Sequence, residues 1–322
     1  MKPNVSVIIP TYQRPALLMR CLQALTMQQL PKKHFEIIVV TDGPDAITNT
    51  MIQQRFKTRV RVFALPEKKG PAAARNFGCK KATGNLIVFT DDDCIPHSNW
   101  IKEFYTAYTQ QPFASAAFKG QVIVPLSNKP TDYEKNTAWL EQADFVTANC
   151  ACTGSALKQI NGFDETYTMA WREDSDLEFK LIDQKIPIHF VQQAIVTHPV
   201  RKAPWGISLK EQKKSMFNAL LYKKYPGLYR QKIHRRPLWN YYAIVLLFIA
   251  FIFVAAMQLT AIAIIAFLGW LLLVTQFTVK RLRGTTHSPK HVAEMIITSI
   301  LIPFLSIFWT IYGSLKFKTL LI

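Results

Sequence analysis

The sequence predicts an open α/β domain followed by helices that cross a membrane, and three observations predict it. Short β-branched runs alternate with helical patterns through the first half of the chain. Polar, turn-forming or acidic residues follow each of those runs, where open α/β sheets bind ligands. Finally, no charged residue occurs from Tyr241 to Val279, a length of roughly two spans at about 20 residues each.

The first strand is VSVII, and Pro10 ends it after only a strand's length, so the start does not read as a signal peptide. An amphipathic helix follows, with Leu17, Leu18, Cys21, Leu22 and Leu25 on one face. EIIVVT at Glu36 to Thr41 is the second strand and Val60 to Leu65 the third. A helix from about Pro71 to Ala82 leads to a fourth strand at Leu86 to Thr90. This is the rhythm of parallel βαβ units. No GxGxxG follows the first strand, which argues against a dinucleotide-binding domain.

Composition narrows the class. The 322 residues are 49% hydrophobic, which excludes a disordered polypeptide. The net charge of +18 is uneven: residues 199–240 carry 11 basic side chains and 1 acidic one, against 22 and 19 in residues 1–198. The basic excess therefore borders the greasiest segment, and a soluble enzyme is disfavoured. Five cysteines, Cys21, Cys79, Cys94, Cys150 and Cys152, lack the spacing of a disulfide framework or zinc site, which fits a reducing compartment.

The candidate chemistry lies in the post-strand segments. Asp91, Asp92 and Asp93 leave a buried strand together, and adjacent carboxylates repel unless a cation or solvent compensates. A divalent Mg²⁺ or Mn²⁺ answers that better than a solvated turn, given the position after a βαβαβ strand. Asp42 could accept hydrogen bonds from a nucleobase or ribose, or simply form a turn with Gly43 and Pro44. Gly70 to Asn76 can start a helix close to a ligand, with Arg75 available to phosphate or to the aspartates, although a structural helix start explains it equally well. Glu173, Asp174 and Asp176 open a helical pattern, where one acid is a cap but several near the aspartate run supply a general base.

In order and approximate spacing, SVIIPTYQRP, EIIVVTDGP, GPAAARNFG, FTDDDCIP, NGFDE and REDSDLEFKL resemble a family 2 glycosyltransferase with a GT-A fold. The resemblance covers about residues 4 to 198. It implies a nucleotide-diphosphate sugar as donor, a divalent metal (Mn²⁺ or Mg²⁺) and an inverting transfer to an acceptor hydroxyl; the membrane anchor makes a glycan or lipid-linked acceptor the expected one. By the same resemblance, Pro10, Thr11, Tyr12, Arg14 and Asp42 belong to the nucleotide-binding set, to which we add Arg75 and Asp92. Asp91 and Asp93 resemble the metal-binding DxD pair, Asp174 the catalytic base, and His198 a histidine that completes the metal or diphosphate site, against an ordinary loop histidine. Asn149 and Gly154 fall near a looser GxNxA-type match. Thr41 departs from the pattern where many relatives have an aspartate. No QxxRW motif is present, so transfer of a single sugar is favoured over a processive polysaccharide synthase. A catalytically inactive scaffold is disfavoured because the metal and base carboxylates are all present.

Three segments are expected: a GT-A catalytic domain at residues 1–200, a basic connector at 201–237 and a membrane region at 238–322. In the connector, Leu209, Met216, Phe217, Leu220 and Leu221 form one face of a helix over 208–224 edged by lysines, with Ser208 and Glu211 as a capping box. Anionic lipid headgroups are the expected partner there, not nucleic acid. The apolar run from Leu238 would span roughly 63 Å as one helix, twice a bilayer, so it folds back at Gln258 to Thr260. Spans of about 238–257 and 261–279 result. A third, at 292–312, holds Pro303 and is either a kinked span or a re-entrant element, and we read it as a span. Basic flanks on both sides of the hairpin place them, and the catalytic domain, at the cytoplasmic face of a bacterial-type plasma membrane.

Overall fold

The computed structural model describes residues 3–110 and 114–321. The chain forms two compact units. One takes in the chain up to Pro125 together with Ala138–Val200, the other Leu126–Thr137 and the chain from Arg201 onward.

The first unit is built on one mixed sheet. Its strands are β1 (Val5–Thr11), β2 (Phe35–Thr41), β3 (Val60–Ala64), β4 (Leu86–Phe89), β5 (Ile95–Pro96), β6 (Ala117–Ile123), β7 (Cys150–Thr153) and β8 (Ile188–Thr197), in the order β3-β2-β1-β4-β7-β6-β8-β5. The β3-β2-β1-β4 half is parallel, as is the β6–β8 pair, whereas β7 runs antiparallel to both its neighbours and β5 to β8. The third and fourth strands each end one residue earlier than expected, at Ala64 and Phe89.

Both faces of this sheet are covered, which is why β1 reads as a continuous apolar run. Val7 and Ile9 pack in one core cluster with Leu18 and Leu22 of α1 (Pro15–Thr26). Ile8, pointing the other way, packs in a second cluster with Phe89 and Ala72. Helices α2 (Ala46–Arg55), α3 (Pro71–Lys81) and α4 (Trp100–Gln110) follow β2, β3 and β5. Beyond the short α5 (Asp132–Ala138), α6 (Gly154–Gln159) and α7 (Glu173–Asp183) complete this part of the chain.

In the second unit, α8 (Ile207–Glu211), α9 (Met216–Lys224) and α10 (Pro226–Lys232) precede three long apolar helices, α11 (Trp239–Ala256), α12 (Thr260–Leu282) and α13 (Pro289–Lys316). Each of the three is long and apolar enough to cross a membrane. The fold-back falls at Met257 to Leu259, where Gln258 takes a positive φ of 58°. Pro303 sits inside α13 without ending it. The single helix expected over 208–224 is instead α8, a 3₁₀ turn and α9. Gly206, not Ser208, occupies the N-cap, so the capping box does not form. Met216, Phe217 and Leu221 are buried, with α9 packed on α13, so this apolar face is covered by protein.

The inserted stretch 126–137 is tied into this unit by polar contacts. Arg281 donates to Asp132 at 2.7 Å and to Thr298 and Ser299 at 2.6 and 3.1 Å. The Thr286 N–H donates to the Pro130 carbonyl at 2.8 Å.

Candidate active site

The parallel strands β2, β1 and β4 end side by side, with Thr11 in register with Thr41, and this edge carries the residues singled out in the sequence. Pro10 and Thr11 are buried at the end of β1, while Tyr12 just beyond it is 37% exposed, with the Lys68 ammonium 3.8 Å from its ring centroid. A cation over an aromatic face is attractive. Asp42, after β2, turns its carboxylate onto the backbone: it accepts from the N–H of Lys69 at 2.7 Å and of Gly70 at 2.9 Å. That fixes the loop leading into α3. Gly70 has φ of 97°, and a Cβ there would come within 2.6 Å of the Thr168 carbonyl oxygen, so glycine is required.

The three adjacent aspartates take three different partners. Asp91 accepts from Arg75 Nη2 at 2.7 Å. Asp92 accepts from Thr11 Oγ1 at 2.7 Å and lies 3.4 Å from Arg14 Nη1. Asp93 lies 3.6 Å from His198 Nε2, just past the end of β8. Burial pushes the Asp92 carboxyl up to about 6, against the pull of Arg14. The mutual repulsion that the sequence suggests is thus relieved in part by two arginines.

A donor set for a divalent cation does stand beside this run. Donor atoms of Asp93, Cys94 and His198 lie within 4.8 Å of one another, all three residues being buried. His198 Nδ1 is buried with no hydrogen-bond partner. Carboxylate and imidazole suit a first-row divalent ion, and the thiol extends the set toward softer metals. Asp91, paired with Arg75, lies outside this group, and its side chain is 30% exposed. Cys94 was passed over in the sequence because it lacks cysteine-pair spacing; its position directly after the acidic run was the available signal.

Arg75 links Asp91 of the acidic run to the acids of α7. Its guanidinium, 2% exposed, donates through Nη2 to Asp91 and through Nη1 to Glu173 at 3.3 Å. Burial and the neighbouring Asp174 push Glu173 up to about 7 despite Arg75. Asp174 is raised as well, chiefly by burial, while its Oδ1 accepts from the Ser175 N–H at 2.7 Å. Glu173 is buried and Asp174 half-buried at the start of α7, and adjacent acids with elevated proton affinity are candidates for a general base. Asp176 points elsewhere: it is fully buried and lies 3.6 Å from Lys180. The partnership of Arg75 with Glu173 was not legible from spacing, because 98 residues separate them.

Asn149 is a structural pin. Fully buried, it accepts from Trp100 Nε1 at 2.7 Å and donates to the carbonyls of Gln121 and Ala194, both at 2.8 Å. Gly154 begins α6.

The chain is 37% identical over 103 residues to the glycosyltransferase AglE of Haloferax volcanii, covering 31% of this chain and 34% of that protein. It is 27% identical over 211 residues to the pre-mycofactocin glycosyltransferase of Mycobacterium tuberculosis, covering 62% of this chain and 43% of that one. The chain thus spans less than half the length of these curated relatives. The solved structure of GalNAc-T7 with UDP, GalNAc and Mn²⁺ superposes with a TM-score of 0.50 at 15% identity over 62% of this chain and 44% of that one, a likeness of fold. The sequence model of glycosyl transferase family 2 matches residues 6–173, more than half of the chain and the whole of the strand edge just described, and the chain belongs to that family.

Proposed function

We propose that this protein transfers a sugar from a nucleotide-diphosphate donor to an acceptor hydroxyl, with inversion at the anomeric carbon and dependence on Mn²⁺ or Mg²⁺. The observation that carries the reading is the Arg75 bridge, which holds Asp91, next to the cation donors, in one ion-pair chain with Glu173, next to Asp174. Metal, leaving group and base must meet in this way for a direct displacement.

Asp93 and His198 would hold the ion, with Asp91, the other half of the DxD pair, as a further proposed ligand. A bound divalent cation supplies neutralisation of the charge that grows on the departing diphosphate. Asp174 takes the proton of the attacking acceptor oxygen on its carboxylate, and Arg75 keeps Glu173 and Asp91 in place around it. The exposed ring of Tyr12 offers a stacking surface for the base of the donor, and Thr11, Arg14 and Asp92, joined to one another through the Asp92 carboxylate, complete the nucleotide-binding set. The inverting stereochemistry rests on family membership.

Residues 1–200 form the catalytic part in this reading, and α11 to α13 anchor it as a multi-pass protein of a plasma membrane. Basic residues just before α11 (Arg235, Arg236) and at or just past the end of α12 (Lys280, Arg281, Arg283) support a cytoplasmic active site. The acceptor is then a glycan or lipid-linked glycan used in cell-surface synthesis. The test is incubation of the purified chain with a panel of nucleotide sugars and Mn²⁺, following release of nucleoside diphosphate. Release with one donor that stops with EDTA supports the reading; no release with any donor, with or without lipid extract as acceptor, overturns it.

A further inference from the structure

A cavity of about 280 Å³ opens in the first unit, at the starts of β2 and β3. The two strands begin out of step there: Val60 opens β3 opposite Ile37, so Phe35 and Glu36 of β2 have no β3 residue beside them. The apolar walls are Leu25 of α1 with Phe35 and Ile37, all buried members of the core cluster on that face of the sheet. An apolar cavity of about 150 Å³ already holds benzene. The space therefore suits a body of one or two rings.

Most of the polar lining is already engaged within the protein. Glu36 accepts from Arg61, from Ser6 Oγ at 2.7 Å and from the Thr83 N–H at 2.7 Å, and Arg61 also donates to the Lys81 carbonyl at 3.0 Å. The Thr26 hydroxyl donates to the Gln23 carbonyl at 2.8 Å. That leaves Lys32, from the 3₁₀ turn before β2, and Arg59, from the one before β3, both exposed and neither paired with an acid among the described residues. Glu36 and Arg61 offset each other, so two positive charges remain beside an apolar wall. Charged oxygens answer the ammonium and the guanidinium fork, whereas only an apolar body answers Leu25, Phe35 and Ile37. We infer that this cavity binds a small organic oxyanion, a carboxylate or phosphate ester carried on a ring-sized apolar body. The site is separate from the catalytic edge: from Ile37 to Asp42, just past the far end of β2, is about 17 Å along the strand.

The test titrates naphthoate, a two-ring aromatic carboxylate, into the full chain in a neutral detergent, followed by calorimetry against a detergent blank. Saturable binding is expected, weaker by about 10-fold or more in Arg59→Gln, as for a lost charge-assisted hydrogen bond, and weaker also in Lys32→Gln. Both side chains are exposed, so both variants should fold. Lys80→Gln, which removes an exposed lysine that does not line the cavity, should bind like the parent. Naphthamide keeps the rings without the charge and acetate keeps the charge without the rings, and each should bind far more weakly than naphthoate. Asp93→Ala should leave naphthoate binding unchanged. Four results would each overturn the inference. They are no saturable binding of naphthoate, equal binding of naphthamide or of acetate, unchanged affinity in Arg59→Gln, and loss of binding in Asp93→Ala, which would move the ligand to the catalytic edge.

Discussion

Arg75 and Asp91 form an ion pair at 2.7 Å in which the guanidinium is 2% exposed, and its other arm holds Glu173. Removing a buried partner of this kind strands the opposing charges. Arg75→Met should cost about 3–5 kcal/mol in denaturant unfolding. Arg75→Lys keeps the charge but loses the fork and should fall between the two. Wild-type stability for Arg75→Met would show that the acids need no bridge.

The cation assignment is tested by binding without turnover. Asp93→Ala, and Asp91→Ala together with it, should abolish Mn²⁺-dependent binding of a nucleoside diphosphate measured by calorimetry, with the fold intact. His198→Ala should weaken Mn²⁺ binding about 10 to 100-fold. If His198→Ala binds Mn²⁺ as tightly as the parent, the imidazole is only a neighbour of Asp93.

Asp174 is expected to dominate the chemical step. Asp174→Asn should lower transfer on the order of 10² to 10⁴-fold while leaving nucleotide and Mn²⁺ binding normal, and Asp176→Asn should retain far more activity. Near-normal transfer by Asp174→Asn, with a competent acceptor, would falsify the assignment.

The pH dependence follows from the raised carboxyls. A base works ionised, so transfer should climb as pH rises through the titration of the Glu173 and Asp174 pair, near 7 for Glu173. Stability moves the other way. Because the native carboxyl of Glu173 titrates above its ordinary 4.5, its contribution is fully present below that pH and is lost as pH rises toward about 7. In Asp174→Asn the like charge is gone, and this loss should shift to lower pH. A stability profile unmoved by Asp174→Asn would mean that the two acids do not interact.

Membrane orientation is open to labelling. In a cysteine-free background, Thr260→Cys should react with an impermeant thiol reagent on intact cells and Arg283→Cys should not. The reverse pattern would invert the topology.

Much of this was legible in the residues themselves. β1, β2 and β4 are short apolar runs buried on both faces, and the charge-free stretch of α11 and α12 admits few alternatives. β6 and β7 were not, since AFKGQVI is interrupted by lysine and glycine and CACT is four small or polar residues, so neither has a strand's periodicity. The site divided in the same way. That an acidic run after β4 matters is visible in sequence, but three consecutive aspartates share one chemistry, and only the direction in which the backbone turns each side chain sends one to Arg75, one to Thr11 and Arg14, and one to His198.

The insertion of residues 126–137 into the second unit bears on how the chain is made. Asp132 precedes Arg281 by 149 positions, and its backbone N–H precedes its acceptor His291 by 159. At about 5–20 residues per second, that stretch waits roughly 7 to 30 s on the ribosome for the groups that complete it. A fragment ending at residue 200 would carry it permanently in that waiting state, with Asp132 lacking its guanidinium. The protein therefore has no single point at which one cut yields both units whole, and a soluble enzyme fragment would have to replace the inserted stretch as well as shed the helices.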